Sequence, residues 1–171
     1  TMICEACEFQ DHYLEMNPAV AVILNVDADH LDYFGTLENV IQSFHKFASK
    51  ASKAVIANAD DTNTQQAIAG LAQEVITFGT DSRCQWFARN IEMRDAYAVY
   101  DLYHNGVFFA HVSLSVPGEH NVLNSMAAAA AAHLCGASAE QIVQGISDFH
   151  GAGRRFEFLG TARDVTVADD Y

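Results

Sequence analysis

The sequence predicts an α/β fold: a mostly parallel sheet flanked by helices, with an antiparallel β annex. Three observations predict it. Short apolar runs alternate with helically periodic segments through the first half of the chain. Each run ends in a cluster of polar residues. A later stretch is β-rich and folds back at Asn105-Gly106, a strong hairpin signal.

Thr1-Met2-Ile3-Cys4 is expected to be the tail of a buried strand, ending at Glu5-Ala6-Cys7-Glu8. A loop from Phe9 to Pro18 leads to a strand over Ala19–Leu24. That strand delivers Asn25-Val26-Asp27-Ala28-Asp29-His30-Leu31-Asp32 to its carboxyl end, where ligands bind in open α/β sheets. Leu37, Val40, Ile41, Phe44, Ala48 and Ala51 recur at helical spacing, with Thr36 as the expected N-cap. Lys53–Ala57 is the next strand, ending in Asn58-Ala59-Asp60-Asp61. A helix follows with Ala67, Ile68, Leu71 and Ala72 inward, then a strand over Val75–Gly79.

The pattern changes near residue 84. Gln85–Met93, Tyr97–Tyr103 and Val107–Val116 are the annex strands. Strict alternation in the last places Phe108, Ala110, Val112, Leu114 and Val116 on one face. Pro117-Gly118 precedes a helix from Glu119 to Cys135, with Gly136 as its stop. Ser138-Ala139-Glu140-Gln141 is a capping box opening a helix with Ile142, Val143, Ile146 and Phe149 inward. Gly151-Ala152-Gly153 is the one candidate hinge. Phe156–Leu159 and Val165–Ala168 form a last strand pair.

Composition narrows the partners. The 171 residues are 50% hydrophobic and 18% charged, with 22 acidic against 9 basic residues and a net charge of −13. A core of one domain's size is expected, and disorder is not. The acidic balance argues against nucleic acid and against an anionic membrane surface. It leaves nucleotides open, since Mg²⁺, backbone amides and one or two arginines suffice to bind them. No apolar stretch reaches the roughly 18 residues needed to span a bilayer. Four scattered cysteines, Cys4, Cys7, Cys84 and Cys135, suit a cytosolic protein and are expected to be small apolar fillers. Both ends of the chain resemble cuts within a longer protein.

Several residues can carry chemistry. Glu5 and His30, each expected just past a strand end, are a carboxylate and an imidazole suited to a divalent cation. Asp27, Asp29 and Asp32 are expected to support His30 as acceptors, or to cap and solvate the loop. His120, Asn121 and Asn124 share one face at a helix N-terminus, where two carboxamides can pair with a purine edge or simply cap the helix. Arg154 and Arg155 adjoin the glycine turn, where a guanidinium can reach a phosphoryl group or form a surface ion pair.

Taken together and in order, Glu5-Ala6-Cys7-Glu8, Leu24 to Asp32, Asn58-Ala59-Asp60-Asp61, Pro117 to Asn124 and Gly151 to Phe156 resemble the Mur ligases. Cys7 departs from the aspartate more common in the family, and Glu119 from a basic residue. The resemblance implies a central ATPase domain over residues 1–152, lacking its first strand and its phosphate loop. It implies that residues 153–171 are the hinge and first strands of a C-terminal ligase domain. It further implies ATP and Mg²⁺ as cofactors, with Glu5 and His30 as metal ligands. His120, Asn121 and Asn124 are then adenine contacts, Arg155 a γ-phosphate contact and Asp170 a ribose contact, with Arg155 and His30 in catalytic roles. The implied enzyme is an ATP-dependent acid–amino-acid ligase of peptidoglycan precursor synthesis in the cytoplasm. Its implied substrates are UDP-N-acetylmuramate and L-alanine. This chain alone is expected to be inactive. The alternatives are a murein-peptide recycling ligase, a polyglutamate synthase, a metal-dependent hydrolase and a non-catalytic α/β binding domain.

Overall fold

The computed structural model describes residues 1–153 and 157–170. Six strands form one sheet in sequential order. They are β1 (Val20–Ile23), β2 (Ala54–Asn58), β3 (Glu74–Gly79), β4 (Trp86–Arg94), β5 (Tyr97–His104) and β6 (Val107–Pro117). The helices are α1 (Leu31–Phe34), α2 (Leu37–Ser49), α3 (Thr62–Ile68), α4 (His120–Leu134) and α5 (Ala139–Ser147). β7 (Glu157–Ala162) and β8 (Val165–Asp169) pair antiparallel as a second sheet.

The apolar runs become strands because the sheet is covered on both faces, which favours continuous hydrophobic sequence. Every residue of β2 is buried. Its alternate side chains serve two cores. Ala54 and Ile56 join a cluster with α4, α5 and the annex, whereas Val55 and Ala57 join one with β1, α2 and α3. The alanine run of α4 has a packing purpose: Ala127, Ala129 and Ala130 are buried, and α4 packs across β1 to β4 and β6.

β1, β2 and β3 are parallel. β4 joins β3 in parallel through only two pairs, Phe78↔Trp86 and Gly79↔Phe87. The rest of β4 therefore runs past the carboxyl end of β3. β5 and β6 follow antiparallel, so β6 points the same way as β1 to β3. The turn after β6 and the N-terminus of α4 thus face the carboxyl side of the parallel strands.

Local signals hold where they have a mechanism. The Thr36 side chain accepts from Asn39 N–H at 3.3 Å. Ser138 and Gln141 form the reciprocal capping box. Four expectations are corrected. Thr1–Cys4 is not a strand: Met2 and Ile3 are 89% and 92% exposed and the segment pairs with nothing in the sheet. Cys4 and Cys7 are accordingly exposed, and so is Cys135; only Cys84 is a buried filler. Alternation along β6 also breaks. A register shift opposite Leu102 and Tyr103 makes Phe109 the unpaired residue. Phe109 then packs on Trp86, and Phe108 turns to Tyr103 on the other face, as a bulge requires. Phe149 lies beyond α5 and is half exposed.

Candidate active site

The carboxyl ends of the parallel strands are laced together by side chains. Asn58 Nδ2 donates to Leu24 O at 2.9 Å, joining β2 to the end of β1. Asp61 caps α3 by accepting Thr64 N–H at 2.7 Å, and the same oxygen accepts Val26 N–H at 3.2 Å. Asn63 Nδ2 donates to Val26 O at 2.9 Å. Asp60 accepts from Thr80 N–H at 2.7 Å and from its hydroxyl at 2.9 Å, which pins the chain after β3. A Cβ on Gly79 would stand 2.5 Å from the Asp60 carboxylate, so this close approach requires glycine. Burial, foremost, pushes the Cys84 thiol above its ordinary pKa, and the nearby charge of Asp60 adds to this. Cys84 is thus an inert thiol packed under the loop. None of these braces was assigned a role in the sequence; the alternation of Asn and Asp after a buried strand is the signal for them.

This lacing presents His30. The chain leaves buried Val26, exposes Asp27, Asp29 and Asp32, and turns at His30 in a left-handed conformation of φ 53° to enter α1. None of those three aspartates meets the imidazole. Its carboxylate neighbour is Glu8, with Oε1 3.4 Å from Nε2, and the Phe9 ring packs on it with centroids 4.9 Å apart. Glu5 lies in the irregular segment before the 3-10 turn Phe9–Glu15 and is exposed. Among the described residues no group of three or more histidine, cysteine or acidic side chains is gathered so as to hold a metal ion. An imidazole facing a carboxylate on a half-exposed surface does fit Mg²⁺, which takes few protein ligands and completes its octahedron with water and phosphoryl oxygens.

A second feature lies at the start of α4. Asn121 and Asn124 line a cavity of about 400 Å³ between β6, α4 and α5. Its wall is mostly apolar, with Leu114, Val116, Ile142 and Ile146 among its residues, and Ser125 and Gln141 add two more polar side chains. Asn121 Nδ2 donates to Pro117 O at 2.7 Å, and Asn124 Nδ2 donates to Asn121 Oδ1 at 3.0 Å. These bonds orient both carboxamides and leave the Asn124 carbonyl for a ligand. A flat heterocycle with one polar edge suits such a cavity. His120 is exposed and does not line it. Its ring folds over Gly118, where a Cβ would lie 2.6 Å from Cε1; Gly118 also has φ 104°. Asp170 stands exposed after β8. Arg154 and Arg155 lie outside the described residues.

Comparison with known proteins bears on this geometry. Residues 1–132 match the Mur ligase middle domain. The chain is 42% identical over 99% of its length to UDP-N-acetylmuramate–L-alanine ligase of Caldanaerobacter subterraneus, and spans 37% of that protein. In structure it is similar to MurF of Acinetobacter baumannii, with TM-score 0.80 and 29% identity over 94% of this chain and 35% of that one. It is also similar to the UDP-N-acetylmuramate–alanine ligase of Thermotoga maritima, with TM-score 0.78 and 26% identity over 94% and 36%. The matched relatives are thus more than twice as long as this chain. The match over residues 1–132, more than three quarters of the chain, establishes that the chain belongs to the Mur ligase family.

Proposed function

We propose that the chain is the nucleotide-handling part of an ATP-dependent ligase that joins L-alanine to UDP-N-acetylmuramate in the cytoplasm, for peptidoglycan precursor synthesis. Residues 1–152 form the central domain and residues 153–171 begin the next. The observation that carries this reading is the cavity between β6, α4 and α5, with oriented Asn121 and Asn124 where it meets the first turns of α4. Identity to the L-alanine ligase of C. subterraneus supports the choice of substrates.

In this reading Asn121 and Asn124 receive the adenine, with His120 against its outer side and Asp170 at the ribose. Glu5 and His30 hold Mg²⁺, and Arg155 reaches the γ-phosphate. The muramate carboxylate oxygen attacks the γ-phosphorus, and ADP leaves with the bridging oxygen. The alanine amine then attacks the acyl phosphate carbonyl, loses a proton, and inorganic phosphate departs with the C–O electron pair. Mg²⁺ held by Glu5 and His30 would supply positive charge to offset the charge that develops on the transferring phosphoryl group. The lacing by Asp60 and Asp61 holds the His30 loop and the strand ends in one arrangement, which positional catalysis needs.

No glycine-rich phosphate loop with its Lys and Ser/Thr is present in these 171 residues, so the chain alone should not turn over ATP. Phosphate release by the full-length protein tests the proposal. Release should require ATP, UDP-N-acetylmuramate and L-alanine together, and glycine, D-glutamate or a tripeptide should not replace L-alanine. Equal turnover with a peptide would instead assign a recycling ligase. Turnover without ATP would assign a hydrolase.

A further inference from the structure

We propose that Glu8 is a direct ligand of the divalent cation, sharing it with His30. The inference rests on the cation reading above and adds a residue to it. His30 Nε2 and Glu8 Oε1 face each other at 3.4 Å, longer than the 2.7–3.2 Å of an N–H···O hydrogen bond. Adjacent ligands of an octahedral ion with 2.0–2.1 Å bonds stand about 3 Å apart. The two atoms are therefore spaced to close on a small cation with little movement.

The pair is also held in place. Its side chains are 39% and 32% exposed, so neither is a freely solvated arm. Phe9 packs on the imidazole ring. The segment carrying Glu8 is latched to α1 and α2 through Asp11, which accepts from the Tyr33 hydroxyl at 3.1 Å and from the Ser43 hydroxyl. Ser43 in turn accepts from Tyr13 at 2.9 Å, and Tyr13 stacks on Phe47. Gln10 and Asp11 adopt left-handed φ values of 53° and 61°, which bend the chain sharply just after Glu8. Such bends persist only where surrounding contacts impose them, and the Asp11 bonds are those contacts. Glu5 makes no hydrogen bond or ion pair among the described residues. With Glu5, the Glu8 and His30 side chains would leave three octahedral positions to water and phosphoryl oxygens, which Mg²⁺ tolerates.

The test uses Mn²⁺ as the probe, titrated into the full-length protein with free Mn²⁺ followed by electron paramagnetic resonance. Wild type is compared with Glu8→Gln, Glu8→Asp, Glu5→Gln and His30→Ala, and thermal midpoints confirm folding. Glu8→Gln should weaken Mn²⁺ binding by about tenfold or more, and Glu8→Asp should recover part of the loss. Wild-type affinity in Glu8→Gln beside lost binding in His30→Ala overturns the role of Glu8 alone. Wild-type affinity in both His30→Ala and Glu5→Gln overturns the cation reading itself. Where Glu8→Gln does not fold, Glu8→Asp decides: unchanged affinity in that variant overturns the proposal.

Discussion

The carboxylate of Asp61 accepts the backbone N–H of Val26 at 3.2 Å, across 35 residues of sequence. The same oxygen caps α3 at Thr64. One side chain thus joins the loop leaving β1 to the helix leaving β2. Asp61→Ala removes a helix cap and leaves the Val26 N–H without an acceptor, and Val26 is buried. The expected cost is about 2–3 kcal/mol, read as a lower urea midpoint with an unchanged slope. Because the His30 loop starts at Val26, nucleotide turnover by the full-length protein should fall as well.

Much of the fold is legible in this sequence because its signals are local. The burial of β2 follows from Ala54-Val55-Ile56-Ala57, and the caps at Thr36 and Ser138 follow from one residue's chemistry. The failures come from non-local competition. Thr1–Cys4 has strand composition, but a strand exists only by pairing, and nothing pairs with it here. The bulge at Phe109 depends on Trp86 and His133 offering a place for its ring, which periodicity along β6 cannot show. At the candidate site, His30 and the α4 asparagines are legible by type and position. Glu8 is not, because the bend at Gln10 and Asp11 that accompanies its approach to His30 has no glycine to announce it.

Tyr100 is buried in the annex core, with its hydroxyl 2.7 Å from Ser125 Oγ. Burial pushes its pKa up to about 12, and the bond to Ser125 opposes the shift only in part. The folded state thus binds the phenolic proton more tightly than the unfolded state, whose pKa is near 10. Stability from this group is complete below about pH 10 and is lost as pH rises toward 12, by about 2–3 kcal/mol. Alkaline denaturation followed at pH 9 and pH 11.5 should show a smaller loss in Tyr100→Phe than in wild type. Identical losses would contradict the assignment.

His104 stacks on Trp86 with centroids 4.2 Å apart and meets His133 edge-on at 4.9 Å. Burial, and secondly the charge of His133, pushes its pKa below the ordinary value. The unfolded state therefore takes up the proton first, and stability falls as pH drops below about 6.5. His104→Phe keeps the stacking and removes the titration. Its thermal midpoint should change less than that of wild type between pH 7.5 and pH 5. Trp86 is the single tryptophan, so its fluorescence reports the same transition.

The cavity beside Asn121 and Asn124 is the place proposed for the nucleotide base. The most direct measurement is equilibrium binding of a fluorescent ATP analogue, labelled on the ribose, to the full-length protein and to Asn124→Ala. Asn124 lies on a helix and is half-buried, so the substitution preserves helix propensity. Affinity should be about tenfold weaker in Asn124→Ala, the loss of one hydrogen bond, with an unchanged thermal midpoint. Equal affinity in the two proteins would contradict this placement.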